Sequence, residues 1–224
     1  MTSQKTNVKK LTVLALFIAL AYICLFVFRI KVSFLTLDFK DVFITLAGFV
    51  YGPISALCIA LVEALLELIT VSDTGFWGAI MNFAGSAAFA VTASVIYKYN
   101  KTFLGAVIGL ISAVFSMTAV MIVMNLIITP IYTKAPVATI IDMILPLLLP
   151  FNLIKSILNA SLTFVLYKPI SQALKTINVL PKSGSGFTFN KRTAIGLVAA
   201  ICIAAASVAV LLTLLDGQFE VVKG

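Results

Sequence analysis

Histidine is absent from this chain of 224 residues, and charged residues make up only 11% of it. Without histidine, metal sites built on imidazole and catalysis by a histidine base are excluded. No Gly-rich loop of the GxxxxGK[ST] type occurs, so the chain carries no recognisable ATPase site of its own. The three cysteines, Cys24, Cys58 and Cys202, stand alone within apolar stretches, which is typical of small buried hydrophobic residues and not of a disulfide framework.

Apolar residues are abundant instead and make up 62% of the chain. A soluble domain is nearer to about half apolar and about a quarter charged, so the composition indicates an integral membrane protein. The formal net charge of +8 lies mostly in short segments between apolar runs, where it is typical of a topology signal. We therefore expect membrane lipid, and no nucleic acid, around this chain.

The apolar runs predict an all-α membrane protein with six core spans and a seventh, C-terminal span. Residues 42–71 are too long a run for one span, because a single helix over them would extend ~45 Å. The break signal at Tyr51-Gly52-Pro53 divides this run in two. The predicted spans are 11–28, 41–51, 53–71, 76–97, 103–129, 145–167 and 194–215.

The distribution of charge supports this division. With the N-terminus inside, the inner segments carry basic residues and no acidic ones, whereas the outer segments carry both. Joining spans two and three would move most of the inner lysines outside, against the positive-inside rule. We therefore assign, in order, a cytoplasmic N-terminus, a six-span core, a cytoplasmic linker, an extra transmembrane helix and an extracellular tail, at residues 1–10, 11–167, 168–193, 194–215 and 216–224.

Strongly polar residues inside four of the spans fall at a similar depth, toward the outer side. A charged residue at the centre of a bilayer costs ~2.5–3.5 kcal/mol on insertion scales, so such residues usually face a partner or a cavity. Glu63 and Glu67 share one helix face, and Asn152 and Lys155 share another. We expect one outward-facing pocket that brings together Glu63, Glu67, Asn82, Asn125, Asn152 and Lys155.

Two loops at the same end are candidates for a lid over this pocket. The segments FLTLDFKD (34–41) and SDTGFWG (72–78) carry aromatic, acidic and small polar residues. A pocket with aromatic rings, amides and one ammonium suits a flat heteroaromatic ligand. The inner halves of the spans lack the polar groups that an ion path would need, and no metal-binding cluster repeats across helices. The candidate binding residues in these loops are Leu37, Phe39, Lys40, Asp41, Thr74, Gly75, Phe76 and Trp77.

Simpler interpretations remain open for the same residues. Lys155 could reach the outer interface with its ammonium group and bind nothing. Glu63 and Glu67 could be structural, with one of them paired to Lys155, and the asparagines could form only interhelical hydrogen bonds. In the first span, Ala15-x-x-x-Ala19 is either a consequence of an alanine-rich composition or a surface that lets another helix approach closely.

Several motifs together resemble a known family. They are LDFKD (37–41), FVYGP (49–53), Asn-Phe (82–83), MNLIITPIY (124–132) and PFNLIKS (150–156). This set is similar to the substrate-binding S components of energy-coupling factor (ECF) vitamin transporters, and within them to the riboflavin-specific group. The resemblance covers about residues 10–170.

The resemblance implies a six-helix protein that binds riboflavin, its phosphate FMN or an analogue near the outer face. It implies no catalytic residue, metal or cofactor, and riboflavin would be the transported ligand. The implied partners are a transmembrane coupling protein and two cytoplasmic ATPase subunits, in a bacterial plasma membrane. Asn152 and Lys155 match family positions that hydrogen-bond the flavin, and Ala15 and Ala19 match the family's docking face.

The chain departs from the family in one respect, since a linker and a seventh span follow the six-helix core. The extra span would place the C-terminus outside, and it would act either as a peripheral anchor or as a restraint on tilting of the core. Two other functions stay open: an S component for another vitamin, and a multi-span membrane enzyme or scaffold that uses Glu63 and Glu67.

Overall fold

The computed structural model describes residues 2–72, 74–177, 179, 191–214 and 219–221. Within these residues the chain is almost entirely helical, as the apolar runs predict. Its elements are α1 (Thr2–Val27), β1 (Ile30–Val32), β2 (Leu35–Leu37), α2 (Lys40–Tyr51), α3 (Pro53–Thr70), α4 (Gly75–Tyr99), α5 (Phe103–Thr133), α6 (Val137–Asp142), a π-helical turn (Ile144–Leu148), α7 (Leu149–Thr176), α8 (Lys191–Leu214) and β3 (Phe219–Val221).

The prediction of an all-α membrane protein is confirmed. Among the residues that the structure describes, five helical segments are long and apolar enough to cross a bilayer: Val8–Val27, Pro53–Thr70, Gly75–Tyr99, Phe103–Thr133 and Ile144–Thr176. The predicted division of residues 42–71 is also found, because α2 ends at Tyr51 and α3 begins at Pro53. Gly52 between them has φ of 95°, a left-handed value that favours glycine, and proline is well suited to the first turn of the helix that follows.

Several helices extend beyond the predicted spans. Helix α1 begins at Thr2 instead of residue 11, and α7 continues to Thr176, so that residues 168–176 of the predicted linker are helical. The predictions ended each span where charge begins, but charged side chains at a bilayer surface do not interrupt backbone hydrogen bonding. Residues 178 and 180–190 of the linker, and 215–218 and 222–224 near the C-terminus, lie outside the described residues.

A small antiparallel sheet, two of whose strands lie between α1 and α2, was not anticipated. Strands β1 and β2 form a hairpin in which Ile30 pairs with Leu37, and the turn between them places Ser33 at φ of 56°. Strand β3 pairs with the other edge of β1, so the strand order is β2-β1-β3. Strands of three residues are too short to show the period-two alternation by which a strand is recognised in a sequence.

The helices pack around three apolar clusters. One joins α1, α2 and α3, another joins the hairpin to α6 and the start of α7, and the third joins α4, α5 and α7. Small residues allow close approach between α4 and α5, since a Cβ atom added at Gly109 would lie 2.8 Å from the Ala93 carbonyl oxygen. Helix α8 packs against α7, with Gly196 facing the ring of Phe164.

The contact at Gly109 generates a testable prediction about stability. Gly109→Ala should destabilise the protein by about 1–3 kcal/mol, because the added methyl group meets backbone atoms that cannot rotate away. Thermal unfolding of the detergent-purified protein measures this effect. The control is Ile111→Ala on the same helix, where the native side chain is 54% exposed. Equal melting temperatures for Gly109→Ala and the unaltered protein would contradict the close approach of α4 and α5.

Candidate ligand-binding site

A cavity of about 280 Å³ lies under the β1–β2 hairpin, between that hairpin and helices α2, α3, α4, α5 and α7. It lies at the end of the bundle that carries the hairpin and the loop before α4, where the sequence predicted a pocket. Seven of the predicted binding residues line it: Lys40, Asp41, Glu67, Thr74, Asn82, Asn152 and Lys155. The structure therefore brings together side chains from α2, α3, α4 and α7 and from the loop before α4.

Lys155 is held at the cavity wall by the segment that leads from the hairpin into α2. Its ammonium nitrogen Nζ donates a hydrogen bond to Asp38 Oδ2 at 2.8 Å and another to the carbonyl oxygen of Thr36 at 3.0 Å. The side chain is only 8% exposed. Lys155 is thus a buried, paired cation and does not extend to the membrane interface.

A second ion pair forms a neighbouring part of the wall. Lys40 at the start of α2 pairs with Glu67 Oε2 on α3, and both side chains are buried. Asn82 on α4 donates a hydrogen bond from Nδ2 to the other carboxylate oxygen, Glu67 Oε1, at 2.7 Å. Three helices therefore meet at one carboxylate, and both of its oxygens are hydrogen-bonded.

Asp38 carries the negative charge of the Lys155 pair. Burial would raise the pKa of Asp38, but the ammonium groups of Lys155 and Lys40 outweigh that effect and hold its pKa below the usual range. The carboxylate is therefore ionised at neutral pH. Because Lys40 and Lys155 each have an acidic partner, this part of the wall offers hydrogen-bond donors whose charge is already compensated.

Apolar and sulfur-containing side chains form the remainder of the wall. Met117 and Met121 lie one turn apart on α5, Met81 precedes Asn82 on α4, and Phe151 precedes Asn152 on α7. Methionine is flexible and polarisable, and its sulfur makes favourable contacts with aromatic rings. The cavity thus combines an apolar surface suited to a flat ring with polar groups suited to carbonyl and hydroxyl groups.

Sequence reasoning missed these residues because methionine in a membrane span carries no distinctive signal. The i, i+4 spacing of Met117 and Met121 could have indicated a shared face, but not which way that face points. The hairpin residues Arg29, Lys31 and Ser33 were also missed, and they too line the cavity.

Other predicted site residues lie away from the cavity wall. Asn125 is buried on α5, where Nδ2 donates to the Met121 carbonyl at 2.7 Å and Oδ1 accepts from Thr129 Oγ1 at 2.9 Å. Glu63 is fully buried, and its carboxylate oxygens have no hydrogen-bond partner among the described residues. The structure does not bring the following to the wall: Leu37, Phe39, Glu63, Gly75, Phe76, Trp77 and Asn125.

The loop residues in that set have other surroundings. Leu37 is buried in the apolar cluster beneath the hairpin, and the Phe39 ring lies 6.1 Å from the Phe28 ring. Phe76 and Trp77 stack edge to face at the start of α4 and are 63% and 37% exposed. Gly75 provides the backbone conformation for that helix start, with φ of 57°.

The described residues offer no site for a metal, since no group of three or more histidine, cysteine, aspartate or glutamate side chains converges there. On the opposite side of the site, Ala15 and Ala19 are exposed on α1, while Val13 and Phe17 of the same helix are buried. A face of small, exposed residues along a transmembrane helix permits close approach of another helix.

Comparisons with known proteins agree with this architecture. Residues 9–167 match the family described as ECF transporter, substrate-specific component. The chain is 34% identical over 180 residues to the riboflavin transporter RibU of Staphylococcus aureus (strain TCH60), which covers 75% of this chain and 94% of that protein. It is 28% identical over 178 residues to the riboflavin transporter FmnP of Bacillus subtilis (strain 168), covering 73% of this chain and 94% of that protein.

A solved structure is similar as well. It is the S component of a bacterial ECF transporter, which superposes with a TM-score of 0.65 at 32% identity and covers 75% of this chain and 99% of that one. Helix α8 and strand β3 lie beyond the residues 9–167 that match the family.

The buried ion pair between Lys40 and Glu67 generates a testable prediction. Lys40→Met should destabilise the protein by about 3–5 kcal/mol, because it leaves the Glu67 carboxylate buried without its cation. The double variant Lys40→Met/Glu67→Met should recover much of that loss, since both charges are removed together. Thermal unfolding of the three variants, including Glu67→Met alone, measures the coupling, and additive effects of the two single changes would contradict the pairing.

Proposed function

Because the chain belongs to the family of ECF transporter substrate-specific components, we propose that it is the membrane subunit that captures riboflavin for uptake. Members of this family are transporter subunits and not enzymes. The observation that carries the proposal is the cavity under the hairpin, with charge-compensated donors on one part of its wall and methionine and phenylalanine on another.

The chemistry of riboflavin matches this wall. The vitamin is uncharged at neutral pH and combines a flat, acceptor-rich ring system with a flexible chain of hydroxyl groups. The cavity of about 280 Å³ is just below the usual range for small-molecule sites, about 300–1,000 Å³, which suits a single small ligand. Lys40 and Lys155, each paired with a carboxylate, can donate hydrogen bonds to neutral carbonyl oxygens.

We assign the ligand contacts to the residues that line the cavity. Lys155, Asn152 and Asn82 are the proposed donors to the ligand, and Lys40, Asp41, Glu67 and Thr74 are the proposed polar wall around it. Asn125 and Glu63 are assigned to the interior of the bundle. Leu37, Phe39, Gly75, Phe76 and Trp77 are assigned to the folding of the loops that cover the site.

The alternative of a membrane enzyme that uses Glu63 and Glu67 has no support in the geometry. Glu67 is paired with Lys40 and Asn82, and Glu63 does not line the cavity. A pair of catalytic carboxylates would have to reach the same substrate, and these two do not.

The proposal extends to partners and location. A chain without a recognisable ATPase site needs other subunits for ATP-driven uptake, and we assign that role to a transmembrane coupling protein and two cytoplasmic ATPases. The exposed alanine face of α1 is the proposed docking surface. The distribution of lysines supports a cytoplasmic N-terminus in a bacterial plasma membrane, with the cavity facing outward.

Ligand binding is testable by quenching of riboflavin fluorescence on titration with the detergent-purified protein. We expect Lys155→Ala to weaken binding at least about tenfold, since hydrogen bonds that involve charged groups contribute about 1.5–3 kcal/mol, and Asn152→Ala to weaken it about two- to tenfold, since neutral hydrogen bonds contribute about 0.5–1.5 kcal/mol. Asn100→Ala and Lys98→Ala, at exposed positions, are the matched controls. If the purified protein does not quench the fluorescence of riboflavin, the proposed ligand is wrong. If it does, and both site variants bind riboflavin as tightly as the unaltered protein, the site assignment is wrong.

Docking is testable separately from binding. Ala15→Trp and Ala19→Trp should block co-purification with a coupling protein while leaving riboflavin affinity unchanged, because a large ring prevents close approach of another helix. Val123→Trp on α5, where the native side chain is 54% exposed, is the control for a tryptophan elsewhere on the surface. Full uptake of riboflavin by cells that carry the Ala15 and Ala19 variants would reject this docking face.

A further inference from the structure

Asp38 does not line the cavity. Both of its carboxylate oxygens and its carbonyl oxygen nevertheless accept hydrogen bonds. Oδ2 accepts from Lys155 Nζ at 2.8 Å, Oδ1 accepts from the Lys40 backbone N–H at 3.4 Å, and the carbonyl oxygen accepts from Asn159 Nδ2 at 3.1 Å. The residue is only 1% exposed. Asp38, between β2 and α2, is therefore hydrogen-bonded to two successive turns of α7.

The position of Asp38 limits what Lys155 can do in the cavity. A lysine ammonium has three N–H donors. One donates to Asp38 and a second to the Thr36 carbonyl, both on the same segment of the chain. One donor is left, and since Lys155 lines the cavity, it is the one that a ligand can use.

We propose that Asp38 is a positioning residue for ligand recognition, which acts through Lys155 by fixing the direction of its remaining N–H. This inference rests on the proposed function, because it takes riboflavin as the ligand of Lys155. The carboxylate also cancels the charge of the ammonium, so the remaining donor suits a neutral carbonyl oxygen better than a phosphate or carboxylate. Without Asp38, the ammonium would turn toward other acceptors and its donor would lose its fixed direction.

The same contacts tie the hairpin to the helix that binds the ligand. Thr36 belongs to β2, and Asp38 follows that strand directly, so the two acceptors of Lys155 are also the point where the hairpin meets α7. Neighbouring hairpin residues, among them Phe34 and Leu35, line the cavity. The same ion pair therefore orients the donor and, together with the apolar cluster beneath the hairpin, holds the hairpin over the cavity.

A double-mutant cycle on riboflavin affinity tests this inference. Asp38→Asn should weaken binding at least about tenfold in the unaltered chain, which is ~1.4 kcal/mol. In the Lys155→Met background the same change should weaken binding less than about twofold, because the group through which Asp38 acts is already missing. A structural role of Asp38 that does not involve Lys155 would lower affinity by the same factor in both backgrounds, so the non-additivity shows that Asp38 acts through Lys155.

Two further variants keep the test decisive. Asp142→Asn removes one negative charge from an exposed position and should leave affinity unchanged. Lys155→Gln is a second background in case Lys155→Met does not fold, as judged by gel filtration and thermal unfolding. Equal losses in both backgrounds, or unchanged affinity of Asp38→Asn, would overturn this inference alone; failure of the unaltered protein to bind riboflavin would overturn the proposed function and this inference with it.

Discussion

Charge buried near a membrane has to be compensated within the protein, and this constraint organises the site. Removing a lysine or a carboxylate from water is costly unless an opposite charge and further hydrogen bonds accompany it. Four buried side chains at the site meet that requirement as two pairs, Lys155 with Asp38 and Lys40 with Glu67. Each pair joins segments far apart in sequence, so the loop between the hairpin and α2 is bound at the same time to α3 and α7. The cavity lies between the hairpin and the helices that these two ion pairs join.

Hydropathy and charge were sufficient to predict the helical core, because a bilayer imposes both the length of a span and the side on which lysines lie. The expectation that Asn82, Glu67 and Lys155 lie at a similar depth led to three residues that the structure places at the cavity wall. The rotation of each helix about its own axis could not be predicted from the sequence, because it is set by packing against neighbouring helices. Asn125 was predicted to lie at the same depth, but its amide group forms hydrogen bonds with Met121 and Thr129 of the same helix, and it does not line the cavity.

The hairpin shows a second limit of sequence reasoning. Its strands have three residues each, and they are held by backbone pairing and by the apolar cluster beneath them, which contains Val32, Leu35 and Leu37. Neither contribution leaves a periodic pattern in so short a segment. The segment that contains LDFKD was predicted to form a lid, but Asp38 was not among the predicted binding residues. A carboxylate between apolar neighbours does not indicate that its partner is a lysine 117 positions away.

Strand β3 has a practical consequence for how the protein is handled. It pairs with β1, whose flanking residues line the cavity, so any tag or fluorophore fused after Val221 begins beside the ligand site. The other end of the chain is far from that site, because α1 has 26 residues and a rise of 1.5 Å per residue separates its ends by roughly 39 Å. A purification tag therefore belongs at the N-terminus, and a dye attached directly after β3 would lie next to β1, which carries the cavity-lining Lys31.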